Sequence, residues 1–264
     1  MILALTRAVP RSIDRCELTH LDRTPIDYSR AVDEHEQYEA ALKQMGCRVE
    51  RLPDAPLQPD SVFVEDTAVV VDDLAVIARP GAASRRGEVA AIVAALTRHR
   101  RLAFVQAPGT LDGGDVLVLP GTVFVGDTLR SNPEGARQLA GFVAPLGYAV
   151  VRVAVTKCLH LKSAVSRLGM RGSQPSLLIN RAWVDPTPFA RFDLIDADPS
   201  EPAAANVLAI GDRVLCADEF PRTRARIDAN GFVTLSVPAG ELAKAEGGLT
   251  CGSLVFPTFD SRPS

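Results

Sequence analysis

Apolar residues along this chain gather in short runs separated by turn residues, and the runs come in pairs. Asp66 opens DTAVVVDDLAVIARP, two apolar runs about a turn at Asp72-Asp73. Asp115 opens DVLVLPGTVFVGD with a turn at Pro120-Gly121, and Asn206 opens NVLAIGDRVLCAD with a turn at Gly211-Asp212. Each pair reads as a β-hairpin, since short apolar runs bounded by Gly, Pro and Asp fit strands joined by a tight turn. A fourth pair starts near Ser163, in SAVSRLGMRGSQPSLLIN, with a longer and irregular connection. The fifth is split: GSLVF follows Cys251, and MILALT at the N-terminus supplies its partner strand.

Amphipathic stretches follow. Residues 33–45 place Tyr38, Ala41, Leu42 and Met45 on one helical face and stop at Gly46. Residues 85–99 do the same with Val89, Ile92, Val93 and Leu96. Pro133, at a first helical position after Asn132, opens a helix that ends at Gly147, and a helix over 221–230 stops at Gly231. Strand-like runs come next, at 49–52, 102–105, 148–153, 192–195 and 232–237. The unit is therefore ββαβ, five times over. Its starting positions, 66, 115, 163, 206 and 251, are 49, 48, 43 and 45 residues apart, a near-constant period that signals a repeat architecture. No stretch rich in Gly, Ser or charge separates the units, so they are expected to form one domain.

Composition narrows the function classes. Hydrophobic residues make up 47% of the 264 residues and charged residues 23%, which excludes disordered and fibrous chains. A formal net charge of −3 gives no global attraction to nucleic acid or anionic membrane. The apolar runs are too short to span a bilayer, and MILALTR is too short an apolar stretch for a signal peptide. The five cysteines (Cys16, Cys47, Cys158, Cys216 and Cys251) are odd in number and lack any CxxC, which points to a reducing cytoplasm. The four histidines show neither HxxxH nor HExxH, so no metal is expected.

Nearly all residues with chemical reach stand in the loops before the hairpins. These are Glu65 and Asp66, Asp112 in LDGGD, His160 in CLHLKS, Asn206, and Cys251 in GGLTCG. Five like units in a circle bring equivalent loops to one end, where a Cys, a His and several carboxylates form a nucleophilic site by residue type. Each has a plainer reading alone: Cys251 as a small buried hydrophobe, His160 as a satisfied half-buried ring, LDGGD as a tight turn. Two carboxylates in VFVEDTAVV resist that treatment, because burying them without a partner is costly, and they call for a cationic ligand or an arginine neighbour. Glycines 247, 248 and 252 favour Cys251 by allowing close approach of backbone to a ligand.

Taken together, SVFVED, RPGAASRRGE, LDGGDV, LHLKS and GGLTCGSL resemble the dimethylarginine dimethylaminohydrolases, of the guanidino-modifying pentein superfamily. The resemblance covers residues 1–256, leaving 257–264 as a tail. It implies an α/β fold, a five-bladed α/β-propeller with pseudo-fivefold symmetry and its fifth unit split between the termini. It also implies hydrolysis of asymmetric dimethylarginine and monomethylarginine to citrulline through a covalent thiouronium on cysteine, without cofactor or metal. Cys251 falls on the family's nucleophile, His160 on its general acid/base, and Asp112 on the carboxylate that orients the histidine. Asp66, with Glu65 beside it, matches the grip on the substrate guanidinium. Arg85 and Arg130 match residues that bind the α-carboxylate, Asp60 one that helps bind the amino-acid end, and Leu18 lies where the family has a lid loop. Ala245 and Glu246 stand where many relatives have an aliphatic-Asp pair, which puts Glu246 near the substrate amine. The expected partner is a small-molecule substrate, with neither nucleic acid nor membrane, and a homodimer is the assembly state left open. Two other readings stand beside this one. An arginine deiminase carries a helical insertion for which 264 residues leave no room. A non-catalytic propeller that binds a partner has no use for Cys251, His160 and Asp112 together.

Overall fold

The computed structural model describes residues 1–258. The chain starts in β1 (Ile2–Thr6), runs through helix α1 (Tyr28–Gln44) and returns in β2 (Cys47–Arg51). A hairpin of β3 (Ala68–Val71) and β4 (Leu74–Ile77) then leads through α2 (Val89–Leu96) to β5 (Arg101–Phe104). The pattern repeats in β6 (Val116–Leu119), β7 (Thr122–Asp127), α3 (Pro133–Val143) and β8 (Ala149–Ala154). The short helix α4 (Leu161–Ala164) precedes β9 (Val165–Arg171), β10 (Gln174–Ile179) and β11 (Asp193–Asp196). The chain continues through β12 (Leu208–Ile210), β13 (Arg213–Ala217), α5 (Pro221–Ala229) and β14 (Val233–Val237). It closes with α6 (Gly240–Ala243) and β15 (Leu254–Pro257).

These strands form five three-stranded sheets of one topology, in the orders β3-β4-β5, β6-β7-β8, β9-β10-β11, β12-β13-β14 and β15-β1-β2. In each, the first two strands are antiparallel and the third runs parallel to the second. In the fifth sheet the two termini meet, with Leu3 opposite Phe256 and Leu5 opposite Leu254. The parallel step needs a crossover, which is why a helical segment separates second and third strands.

Burial explains how the sheets assemble. Apolar clusters fill the seams between successive units: Leu5 and Phe256 with Ile92 and Leu96, Val76 with Val123 and Leu139, Phe124 with Leu177 and Phe189. The series continues with Leu178 against Val214 and Ile227, and closes with Leu215 against Ala4 and Leu42. The last seam returns to the first unit, so the units form a ring. A cavity of about 180 Å³ lies between strands β3, β6, β12 and β15, with Glu65 and Lys162 also lining it.

Three helical segments differ from the periodicity. Helix α1 begins at Tyr28, earlier than residue 33, because the Asp27 side chain accepts from Arg30 N and caps it. The stretch from Ala83 to Glu88 is a 3₁₀ turn, since Arg85 and Glu88 face inward and pair there. The fourth unit carries only a 3₁₀ turn, Thr187–Phe189, between β10 and β11. Strand β15 runs on to Pro257, and residues 259–264 of the expected tail lie outside the described residues.

Candidate active site

The five loops that precede the first strands hydrogen-bond to one another around one end of the ring. Glu65 N donates to the Cys251 carbonyl (3.2 Å), and Gly114 N donates to Asp66 Oδ1 (3.0 Å). Leu161 N donates to Asp115 Oδ1 (3.0 Å), Asn206 Nδ2 donates to the Lys162 carbonyl (3.2 Å), and Thr250 N donates to Asn206 Oδ1 (2.9 Å). The same topological position is thus stitched to the next unit five times, which fixes the side chains that these loops carry.

Two glycines make this possible. A Cβ on Gly113 would lie 2.0 Å from the Glu65 carbonyl oxygen, and one on Gly114 would lie 2.6 Å from His160 Nδ1 and 2.7 Å from Asp66 Oδ1. Gly113→Ala is therefore expected to cost about 3 kcal/mol of folding free energy in urea denaturation, because the clash is with backbone. Gly114→Ala should spare more of the stability and depress turnover instead, its Cβ displacing side chains. Equal stability losses in the two variants would contradict this division. Glycines 247, 248 and 252 also serve close approach, but to protein groups: the Phe63 ring, the Asn206 amide and the Tyr38 ring.

His160 is buried at the head of α4, between two carboxylates. Its Nε2 lies 3.1 Å from Asp112 Oδ2, and its Nδ1 lies 3.7 Å from Asp66 Oδ1, outside hydrogen-bond range. Burial by itself would lower its pKa, yet Asp66, Asp115 and Asp112 together hold it up to about 9. For Asp66, burial would raise the carboxyl, but His160 and Arg85 draw it down to about 2. Asp112 is held in place by Gly81 N on Oδ1 (2.9 Å) and through its own N–H on Ser131 Oγ (3.1 Å). Stability follows from the histidine shift. A group raised from 6.5 to about 9 on folding contributes fully below pH 6.5 and loses that contribution as pH rises through 9. The loss is about 3 kcal/mol. Asp115, which burial pushes up to about 6, completes its titration at the foot of that limb. Thermal melts from pH 6.5 to 8.5, below the range where the buried thiols add a decline of their own, should show most of it, and His160→Ala should flatten it.

Cys251 is buried in the loop before β15, and its Sγ accepts from Gly248 N (3.3 Å). Burial, reinforced by Glu65 and Asp66, pushes its thiol up to about 12. Cys158 and Cys216 are pushed equally high by burial, so position rather than acidity distinguishes Cys251. Glu65 accepts from Lys162 Nζ (2.5 Å) and Thr250 Oγ1 (2.6 Å), and burial raises its carboxyl against the pull of Lys162. Lys162 and Thr250 answer the need for partners that the sequence posed, and so does Arg85 at Asp66. Local pattern did not single out Lys162, Thr250 or Asp115 as site residues; only the loop-to-loop contacts reveal them.

The cationic residues divide. Arg85 is fully engaged: Nη1 donates to Asp66 Oδ2 (2.6 Å), Nε to Glu88, and Nη2 to Glu88 and the carbonyls of Asp60 and Phe63. Arg85, expected on a substrate carboxylate, is thus the internal partner of Asp66 in this structure. Arg130 is different: its Nη2 donates to Thr19 Oγ1 (3.4 Å), and its buried Nη1 has no hydrogen-bond partner among the described residues. Asp60 accepts from Glu17 N through both oxygens (3.2 Å each). Leu18 is half-buried against the cluster that holds Phe63, Ala245 and Cys251. Glu246 accepts from the backbone of residues 19–21. Donor atoms of Asp66, Asp112 and His160 lie within 4.8 Å of one another, a spacing that fits a cation. Arg85, 2.6 Å from Asp66, and Arg130, 3.8 Å from Asp112, already compensate those carboxylates.

Comparison with known proteins agrees with this picture. A family model described as "N,N dimethylarginine dimethylhydrolase, eukaryotic" matches residues 19–168. The chain is 39% identical to a dimethylarginine dimethylaminohydrolase of Streptomyces coelicolor, over 90% of each sequence. The solved structure of the Pseudomonas aeruginosa enzyme, a cysteine-to-serine variant complexed with citrulline, superposes with a TM-score of 0.89 at 32% identity. That alignment covers 96% of this chain and 98% of that one. The N-terminal domain of a cyanobacterial arginine dihydrolase shares the fold, with a TM-score of 0.85 at 18% identity over 96% of this chain and 97% of that one.

Proposed function

The chain belongs to the dimethylarginine dimethylaminohydrolase family, and on that premise we propose that it hydrolyses Nω-methylated arginines to citrulline and a methylamine. The observation that carries the reading is the imidazole of His160, held between Asp112 and Asp66 in the ring of loops that also contains Cys251. The family's five-bladed α/β-propeller is the frame for this site, built from five sheets of one topology. We read residues 1–256 as one domain, which the pairing of β15 with β1 supports.

In this reading Glu65 and Asp66 accept from the substrate guanidinium, using lone pairs that Lys162, Thr250, Gly114 and Arg85 leave open. Arg130 Nη1 takes the α-carboxylate, with Asp60, Leu18 and the backbone of 245–246 around the amino-acid end. The electrostatics favour one order of proton movements. A histidine raised to about 9 is already an imidazolium at neutral pH, so it is not the acceptor for the Cys251 proton. The thiol instead loses its proton to solvent when the substrate cation enters beside it and offsets Glu65 and Asp66. The thiolate then attacks the guanidinium carbon. His160 donates its proton to the departing nitrogen, the C–N bond breaks and the amine leaves, with a thiouronium remaining on sulfur. His160, now neutral, takes a proton from water as its oxygen attacks the same carbon. Collapse expels the Cys251 thiolate and releases citrulline. The chemistry is complete with the chain's own residues and water. A homodimer in the cytoplasm is the setting we propose.

Specificity is tested by steady-state kinetics with asymmetric dimethylarginine, monomethylarginine and arginine. Phe63, Val64 and Leu161 are buried apolar neighbours of the carboxylates and histidine. A methyl group in such surroundings is worth about 1–3 kcal/mol, so kcat/KM for the methylated forms should exceed that for arginine by at least tenfold. A value for arginine equal to or above the others would sink the specificity while leaving the fold and nucleophile untouched.

A further inference from the structure

Glu246 engages the backbone of the loop that precedes the first helix. Its Oε1 accepts from three successive backbone N–H groups, those of Thr19 (3.0 Å), His20 (2.5 Å) and Leu21 (2.7 Å). Its Oε2 is buried with no hydrogen-bond partner among the described residues. The residue reaches this position with φ at 58°, a conformation that side chains rarely adopt. The loop it grips lies over the site. Leu18 packs with Phe63, Ala245 and Cys251, Arg130 reaches Thr19, and His20 and Leu21 help line a cavity of about 220 Å³ with Cys158, Asn206 and Glu246.

We infer that Glu246 is a latch, a positioning residue that holds the loop over residues 17–21 against the nucleophile segment. One ionised oxygen serving three amides is an arrangement that a carboxylate sustains better than a neutral group, because charge-assisted hydrogen bonds are stronger. Length matters too. An aspartate is one C–C bond shorter, roughly 1.5 Å, and would leave the three N–H groups beyond hydrogen-bond range. The latch stands in the same turn as Gly248, whose N–H donates to Cys251 Sγ, so loop and nucleophile share one anchor. On the far side of the loop, Asp60 grips Glu17 N in the same manner. The loop is therefore clamped by carboxylates from two different units.

The effect on turnover rests on the proposed function; the clamp itself does not. Glu246→Gly removes the side chain where φ already suits glycine, so no strain is added. Hydrogen–deuterium exchange on the full chain should show the peptide over 17–23 exchanging at least tenfold faster in this variant. Peptides over 62–66 and 160–166 should keep their wild-type rates. With dimethylarginine, KM should rise about tenfold while kcat changes less than threefold. Wild-type exchange at 17–23 in E246G overturns the latch. If E246G instead loses protection throughout, Glu246→Asp decides: a loop as slow as wild type there also overturns it. Absence of any turnover by the wild-type protein would refute the proposed function and leave the exchange result standing.

Discussion

Cys251→Ser is expected to lower kcat for dimethylarginine by about 10³-fold or more, with the melting temperature nearly unchanged. A hydroxyl at this position is far less acidic than a thiol, and the pocket is already unkind to an anion. Burial, Glu65 and Asp66 push even the thiol up to about 12 before a cation arrives. Sulfur to oxygen is a small change in volume, and the Gly248 N–H still finds an acceptor, so packing is retained. Circular dichroism and thermal melting of the purified variant separate chemistry from folding. Turnover within tenfold of wild type would remove Cys251 as the nucleophile, and the remaining four cysteines, all buried, would have to be reconsidered.

His160→Ala should be as damaging to turnover, about 10³-fold, for a different reason: in the proposed mechanism one imidazole serves both halves of the reaction. Without its proton the amine is a poor leaving group, and without its base the adduct persists. The variant should accumulate a covalent adduct on Cys251 when incubated with a substrate whose leaving group needs no protonation. Intact-mass and peptide mass spectrometry would locate it. Attachment to another cysteine would overturn the division of roles. The substitution also leaves Asp66 and Asp112 buried beside each other without the charge between them, so stability at pH 7 should drop as well. Arg85 and Arg130 still face those carboxylates, which keeps the penalty short of unfolding.

Much of this architecture is legible in the sequence. The turns at Asp72-Asp73, Pro120-Gly121 and Gly211-Asp212 are where β3, β6 and β12 reverse, because hairpin geometry is set by a few adjacent residues. The helix over 133–147 closed as expected, with Asn132 capping Gly135 and Gly147 left-handed at its end. Where expectation and structure part, the cause is contact between distant segments. Residues 85–88 carry a helical pattern, yet Arg85 pairs with Glu88 inside the fold and meets Asp66 across the unit, so the backbone tightens into a 3₁₀ turn.

By itself, then, the sequence determined the five-unit repeat, because strand, turn and helix signals are local and recur at a near-constant period. It also determined that the reactive residue types stand at equivalent points of those units. Only the tertiary structure decided which charge meets which. Glu65 finds Thr250 across 185 positions, and Glu246 finds Leu21 across 225. Periodicity carries no information about such pairings. A buried carboxylate must have a partner, but its identity is set by how five seams of apolar side chains bring the loops together. Among the described residues, that packing leaves Arg130 Nη1 without a hydrogen-bond partner, engages Arg85 with Asp66 and Glu88, and brings Glu246 to the backbone of residues 19–21.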